Sequence, residues 1–291
     1  MKKPSTFQRM LPLIIGRILD FVYLLNKNTA ASIAVRIFCT PRGGQIKNFH
    51  KKFLDSTTPK TLQLDNQEVQ TYYIDNNSEK TILLAHGWES NAARWKKLTR
   101  YLKELPVNIV MLDGPAHGAS GFKRFTALTY AKMINQVVNE YKVDVLVGHS
   151  IGAFSCGLYT KLYPETKIKH FVILASPDTM TSILEEYQRI LKFSDKLLNQ
   201  IYKYFEVHFP HDVHFYRMAN FMKGSQINGI IMHDPMDMVN TFDGAESIKN
   251  SWGSSCHLIP MNGLGHGLQS DKVYENVKTY LDKALHLSSI K

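Results

Sequence analysis

The sequence predicts an α/β fold: a mostly parallel central sheet with helices on both faces, interrupted by a helical insertion. Three observations carry this reading. Short apolar runs at 81–85, 107–112, 141–147, 169–175, 226–233 and 256–259 have strand length and little solvent face, as in a parallel sheet covered on both sides. Helical stretches alternate with them. Between the runs at 169–175 and 226–233 the alternation breaks, and a long segment of helical periodicity intervenes.

Size and composition agree. A chain of 291 residues suits one large α/β domain or a domain with an inserted subdomain. Hydrophobic residues make up 44% and charged residues 21%, so the chain has the balance of a globular domain rather than a disordered segment. Lys and Arg number 35 against 25 Asp and Glu, a formal net charge of +10. The excess is spread over Lys2-Lys3, Lys51-Lys52, Lys96-Lys97 and Lys167 with Lys169, which reads as a solvated basic face. Such a surface also suits acidic substrates or an anionic membrane. No run of basic residues interleaved with aromatics marks a nucleic-acid partner. Cys39, Cys156 and Cys256 form neither a disulfide framework nor a metal-ligand spacing, which fits a reducing, cytoplasmic setting.

The first sixty residues are expected to form a helical extension packed on the body. Lys2, Lys3 and Arg9 precede an apolar stretch from Met10 to Leu25, but Arg17 and Asp20 interrupt it. The stretch is therefore neither a signal peptide nor a membrane span. Positions 11, 14, 15, 18, 22 and 25 share one helical face, whose expected use is packing over the protein. The alternative is peripheral contact of residues 10–25 with a membrane surface. A second helix is expected from Thr29 to about Phe38, before Pro41 and a turn at Arg42-Gly43-Gly44.

The core is expected over 61–175 and 223–291. Thr61–Leu64 and Val69–Ile74 alternate like a hairpin turning at Asn66. The strand 81–85 runs into His86-Gly87-Trp88-Glu89-Ser90. A helix over 91–105 leads to the strand 107–112, which ends in Asp113-Gly114-Pro115-Ala116-His117-Gly118-Ala119-Ser120. A helix over 125–140 precedes the strand 141–147.

That strand ends in Gly148-His149-Ser150-Ile151-Gly152, and a helical stretch follows at 153–160. This is the G-x-S-x-G nucleophile elbow in its proper strand–turn–helix context. The chain must turn sharply with the serine at a strained backbone position, and side chains at 148 and 152 would clash with each other or with the incoming helix. The turn lifts the Ser150 hydroxyl clear of the sheet, beside the free N–H groups of the helix start.

Residues 176–222 are expected to form a helical insertion, which the family resemblance given below makes a cap. From Thr181 to Phe205, Ile183, Leu184, Tyr187, Ile190 and Leu191 recur on one face. The aromatics Tyr202, Tyr204, Phe205, Phe209, Phe215 and Tyr216 either line a substrate cleft or pack this insertion on the body. His208, His211, Asp212 and His214 are proper zinc-ligand types, yet their spacing matches no compact site and Pro210 breaks the register, so no metal is expected. Beyond the strand 226–233 lies Asp234-Pro235-Met236-Asp237-Met238-Val239-Asn240. Beyond the strand 256–259 lies Met261-Asn262-Gly263-Leu264-Gly265-His266-Gly267, whose glycines suit a loop that carries an imidazole back over the sheet edge. A helix over 273–287 closes the chain.

From about Thr61 onward these four separated motifs, in this order, resemble the α/β-hydrolase superfamily and within it the serine esterase and lipase-like branch. The resemblance implies an α/β-hydrolase fold and a triad of Ser150 as nucleophile, Asp237 as acid and His266 as base, in the chain order expected of that fold. Asp237 matches the family's acid when Val239 takes the family's valine position, although Asn240 stands where a proline is usual. Asp234 is the alternative acid, and His257, inside a strand pattern, the alternative base. The resemblance also assigns the oxyanion hole to the backbone N–H groups of Trp88 and Ile151. It leaves His86, Gly87, Asp113, His117 and His149 as supports. The implied activity is hydrolysis of a carboxylic ester or thioester of a hydrophobic acyl group, on a small-molecule substrate and without a cofactor. Acyl transfer, amide or carbon–carbon hydrolysis, and non-catalytic lipid binding are the alternatives.

Overall fold

The computed structural model describes residues 6–285; Lys2, Lys3 and Leu287, which the sequence reading used, lie outside them. Within these bounds the chain divides into two compact units, residues 6–40 with 179–217, and residues 41–178 with 218–285.

The larger unit is built on an eight-stranded sheet. Its strands are β1 (Thr58–Leu64), β2 (Gln67–Ile74), β3 (Thr81–Ala85), β4 (Asn108–Leu112), β5 (Val145–His149), β6 (His170–Leu174), β7 (Asn228–His233) and β8 (Cys256–Pro260). They lie in the order β1-β2-β4-β3-β5-β6-β7-β8. β1 and β2 form an antiparallel hairpin, β2 runs antiparallel to β4, and every other pairing is parallel. Asp65 and Asn66, both at positive φ, make the two-residue turn whose twist suits a hairpin.

β3, β4 and β5 are buried along their whole length, which is why they read as unbroken apolar runs. On one face Ile82, Leu84, Val145, Val147, Val172, Leu174 and Met232 share a core with Trp95, Leu98 and Leu102 of the Ala92–Leu102 segment. That core also takes in Val273, Val277 and Leu281 of α11 (Asp271–Ala284). The opposite face meets α5 (Ala127–Tyr141), α6 (Ile151–Leu162) and α10 (Phe242–Trp252). Side-chain oxygens fix the helix starts: Thr126 Oγ1 accepts from Thr129 N–H at 2.9 Å, and Ser270 Oγ from Val273 N–H at 3.3 Å.

Several boundaries differ from expectation. Residues 141–144 are not strand: α5 continues to Tyr141 and stops because Lys142 adopts a left-handed conformation, φ 49°. The segment 91–105 is a 3-10 turn, Ala92–Trp95, followed by a short α4 (Lys96–Leu102). The sequence reading omitted α3 (Asn48–Leu54) and α10. Gly244 and the polar stretch of α10 hide its periodicity, although Ala245, Ile248 and Trp252 are buried.

The smaller unit is helical. It contains α1 (Thr6–Leu25), α2 (Lys27–Phe38), α7 (Met180–Leu191) and α8 (Asp195–His208). α1 packs against α2, α7 and α8. The helical stretch from Thr181 to Phe205 is divided into two helices, because Lys192 ends α7 at φ 55° and Ser194 caps α8. A 3-10 turn, Val213–Phe215, completes this unit, and α9 (Met218–Met222) belongs to the larger one. The cap and N-terminal segments expected separately therefore supply residues to the same unit. The α1 face expected to pack does not do so throughout: Ile14, Ile18 and Leu25 are exposed. Contact instead runs through Gly16, whose Cβ, were there one, would stand 1.9 Å from the Leu191 carbonyl oxygen, and through buried Leu19. No described helix is long and apolar enough to cross a membrane.

Candidate active site

The site lies at the carboxyl ends of the parallel strands, where an open α/β sheet presents its loops. Ser150 follows β5 directly and precedes α6, with φ 54° and ψ −128°. Only close surroundings hold a non-glycine residue at such a conformation. Its N–H donates to the Leu174 carbonyl at 2.8 Å, tying the turn to β6. The flanking glycines are needed for two different contacts, neither with each other. A Cβ at Gly148 would meet Ala153 Cα of α6 at 2.4 Å, and one at Gly152 would meet the His86 carbonyl oxygen at 2.3 Å. The elbow therefore presses on both its own helix and the loop after β3.

Three side chains meet there. His266 Nε2 lies 3.1 Å from Ser150 Oγ, and His266 Nδ1 lies 2.8 Å from Asp237 Oδ2. Asp237 Oδ1 accepts N–H bonds from Val239 at 2.8 Å and Asn240 at 3.2 Å. Burial opposes the charged form of Asp237, but contacts with His233 and His266 and the Val239 N–H outweigh it and hold the carboxyl well below its usual range. With Asp237 a carboxylate, Nδ1 of His266 carries the proton and Nε2 faces the serine as an acceptor. Ser150 is 9% exposed and the Asp237 side chain is fully buried.

Asp234, the alternative acid, faces elsewhere. Its Oδ1 accepts from Met236 N–H at 2.9 Å and its Oδ2 from Gly265 N–H, and these bonds lower its carboxyl. It thus braces the histidine loop without touching the imidazole. His257 is exposed within β8, in register with Ile230, away from this cluster.

Two further side chains hold the loop that carries the imidazole. His149 Nε2–H donates to the His266 carbonyl at 2.9 Å, and Arg94 Nη2 donates to the next carbonyl, Gly267, at 2.5 Å. Gly263 and Gly265 both take positive φ, so the loop depends on such ties. Burial pushes the Arg94 guanidinium down to about 10 and His149 well below the ordinary imidazole range. Sequence reading did not single out Arg94. It also missed His233, whose Nε2 donates to Asn240 O at 2.9 Å and stands 3.4 Å from Asp237 Oδ2. The carbonyl is the closer of the two, and the carboxylate still feels the same N–H. The strand pattern that absorbed His233 concealed that it ends β7 beside the acid.

The loop after β3 is clamped by two histidines of fixed tautomer. His86 Nε2 accepts from Gly114 N–H at 2.9 Å, so Nδ1 carries the proton and donates to Gly87 O at 2.7 Å. His117 Nε2 accepts from Glu89 N–H at 3.0 Å, and its Nδ1 donates to Pro115 O at 2.9 Å. Burial lowers both, His86 to about 3. Asp113 accepts from Ala92 N–H, Ala119 N–H and Tyr72 Oη, and burial raises its carboxyl to about 6. Gly87 lies against the serine: a Cβ there would stand 3.0 Å from Ser150 Cβ. The Trp88 indole packs edge-on against His117 and Phe125. Ile151 opens α6, so its N–H has no acceptor within the helix.

The histidines around Pro210 are engaged separately. His208 Nδ1 donates to Tyr204 O at 3.0 Å, His211 stacks on Phe215, and Asp212 caps His214 and Phe215 N–H. Among the described residues no group of three or more His, Cys, Asp or Glu stands where it could hold a metal ion.

A family model described as alpha/beta hydrolase fold matches residues 80–265. Among curated proteins, two receptors of Petunia hybrida are similar. Karrikin insensitive 2 receptor IA is 27% identical over 37% of this chain and 42% of its own length. Receptor CA is 26% identical over 47% of this chain and 52% of its own. The chain thus spans about half the length of the curated relatives it matches. Among solved structures, Est1E of Butyrivibrio proteoclasticus with ferulic acid bound superposes with a TM-score of 0.64 at 19% identity, over 78% of this chain and 99% of Est1E. The Pyrococcus furiosus esterase Pf2001 superposes with a TM-score of 0.60 at 19% identity, over 85% and 97%. At these identities the two structures speak for the shared fold.

Proposed function

The chain belongs to the alpha/beta hydrolase fold family, and from that premise we propose that it is a serine hydrolase of carboxylic esters or thioesters, working through an acyl-enzyme. The observation that carries this is the unbroken line from the Asp237 carboxylate through both nitrogens of His266 to Ser150 Oγ.

His266 Nε2 takes the hydroxyl proton as Ser150 Oγ attacks the acyl carbonyl carbon. Asp237 holds the imidazole in the Nδ1–H tautomer and stabilises the imidazolium. The developing oxyanion is held by the N–H groups of Ile151, at the start of α6, and Trp88, whose loop is fixed by His86 and His117. The bond to the leaving oxygen or sulfur then breaks, and His266 returns the proton to it. A water molecule, deprotonated in the same way, attacks the acyl-enzyme, and the Ser150 oxygen leaves with the proton. Every step uses this chain's own side chains and backbone N–H groups with one water molecule, and no cofactor is required.

The acyl group is hydrophobic and of short to medium length. Exposed Met236, Met238 and Val239 beside Asp237, and the partly exposed Trp88 indole, support this reading. Glu89 beside Trp88 is turned to the backbone, its Oε1 accepting from Arg42 N–H, and Asp234 and Asp237 are both buried. Cys39, Cys156 and Cys256 are all buried and none is in a disulfide, which supports a cytoplasmic setting. The similarity to two proteins named as receptors favours one rival reading, a ligand sensor that uses the same pocket without efficient turnover.

The test is turnover of p-nitrophenyl esters from acetyl to octanoyl by wild type and Ser150→Ala, with fluorophosphonate labelling in parallel. Wild type is expected to label and to gain kcat/KM with acyl length until the pocket fills, since each buried methylene contributes about 0.8 kcal/mol. Ser150→Ala is expected to lose labelling and roughly 10³-fold or more of turnover. Labelling without turnover would favour the sensor. A variant keeping more than about a tenth of the activity would remove Ser150 from the mechanism.

A further inference from the structure

The exposed side of α1 has the chemistry of a membrane-surface helix, and we propose that it docks on the headgroup layer of an anionic lipid bilayer. Met10, Leu13, Ile14, Ile18, Phe21, Leu24 and Leu25 are all exposed, from 37% for Leu13 to 80% for Leu24. Their spacing puts them on one stripe running about 22 Å along the helix. Among the described residues, the hollow along this face is lined by α1 alone, from Met10 to Phe21.

The stripe is not what folds the helix. The other side does that, with Gly16 against Leu191, Leu19 buried, and Asp20 Oδ1 accepting from Ser194 N–H at 2.9 Å. α1 is thereby held in place with an apolar surface left over. Soluble proteins scatter exposed apolar residues singly; a continuous row marks an interaction surface.

Charge selects the occupant. Arg17 lies exposed within the stripe, and Lys27 and Arg36 are exposed on α2. Residues 1–40 contain the basic residues Lys2, Lys3, Arg9, Arg17, Lys27 and Arg36 against one acid, Asp20, which is turned to the packed side. Apolar residues along one face with basic residues in and beside it are the pattern of a helix lying in the plane of an anionic interface. Arg17 and Asp20 near its middle, and the lack of any spanning helix among the described residues, agree with lying on the bilayer rather than crossing it.

A second copy of the chain fits less well. Arg17 sits at the midpoint of the stripe, between Met10 and Leu25. Two copies packed antiparallel about a two-fold axis would bring both Arg17 side chains together, and the stripe offers no acid to either.

Docking through α1 is independent of turnover at Ser150. Co-sedimentation would be measured with phosphatidylcholine vesicles and with vesicles containing about one-third phosphatidylglycerol, at low and high salt. Wild type is expected to bind the anionic vesicles, and more weakly with added salt. Ile18→Asp/Phe21→Asp is expected to abolish binding, and Arg17→Glu to weaken it roughly tenfold or more, with thermal melting unchanged in both. If the double variant melts early, Phe21→Trp replaces it, and a blue shift of its added emission on vesicles is expected. Vesicle binding that survives the Asp substitutions, no binding by wild type, or no shift at Trp would each overturn the proposal. So would dimerisation in sedimentation equilibrium that Ile18→Asp/Phe21→Asp abolishes, because a second copy would then own the face.

Discussion

The side chain of His149 holds the backbone of His266. Its Nε2–H donates to the His266 carbonyl at 2.9 Å, so the residue just before Ser150 fixes the loop that carries His266. Ser150 and His266 are thus coupled through neighbours as well as through their own 3.1 Å contact. Removing this tie leaves a glycine-rich loop held by Arg94 at Gly267, Asp234 at Gly265 and Asp237 at the imidazole itself.

His149→Ala is therefore expected to lower kcat on the order of tenfold with KM nearly constant, since a misplaced base affects the chemical step first. His149→Gln, whose amide N–H extends about as far as imidazole Nε2, is expected to recover most of the loss. Steady-state kinetics on one ester decide it. Equal rates for wild type and the alanine variant would show that the loop holds itself.

Asp237→Asn should cost on the order of 10²-fold or more in kcat, because an amide N–H facing Nδ1 favours the wrong imidazole tautomer. Asp234→Asn should cost much less activity but lower the melting temperature, because the Asp234 carboxylate joins Gly265 N–H to Met236 N–H. Rates and melts of both variants give the comparison. A greater activity loss at Asp234 would reverse the two assignments.

Gly152→Ala places a methyl carbon 2.3 Å from the His86 carbonyl oxygen and 2.5 Å from that of Ala85, both backbone atoms that cannot swing aside. The loop bearing Trp88 must move, and the expected loss in kcat is roughly 10²-fold, as for other displacements near 1 Å. Secondary structure by circular dichroism should persist. Unchanged kinetics would mean that this loop is not part of the oxyanion site.

Acid should destabilise the fold well before the carboxylates of the acid loop titrate. His86, held near 3, and His117 and His149, also lowered, stay neutral when folded but take up protons near pH 6.5 when unfolded. The unfolded chain thus binds more protons in that window. Their contribution is full above about pH 6.5 and is lost as pH falls, at up to about 1.4 kcal/mol per pH unit for each histidine. Asp113, raised to about 6, acts in the opposite sense and cancels one histidine's share below that pH. The net slope from these four groups between pH 6 and 4 is at most roughly 3 kcal/mol per unit. Urea unfolding at about pH 7.5, 6 and 5 measures it. A flat profile would show that these imidazoles are not buried neutral.

What the sequence determined by itself is local or repetitive. Burial on both faces of the sheet leaves a continuous apolar run, so β3, β5, β6 and β7 could be read directly, and the strained turn at Ser150 needs glycines at fixed offsets. Chain order then joined Ser150, Asp237 and His266. Only the tertiary structure decided which polar groups meet, because those partners are far apart in the chain and no periodicity encodes them. Arg94 and Gly267 are 173 positions apart, and Asp234 and Gly265 are 31 apart. The two sides of α1 show the same limit. Apolar residues surround it almost completely, so sequence periodicity could not separate Leu19, which packs, from Ile18, which faces outward; the close approach of the Leu191 backbone to Gly16 made that choice.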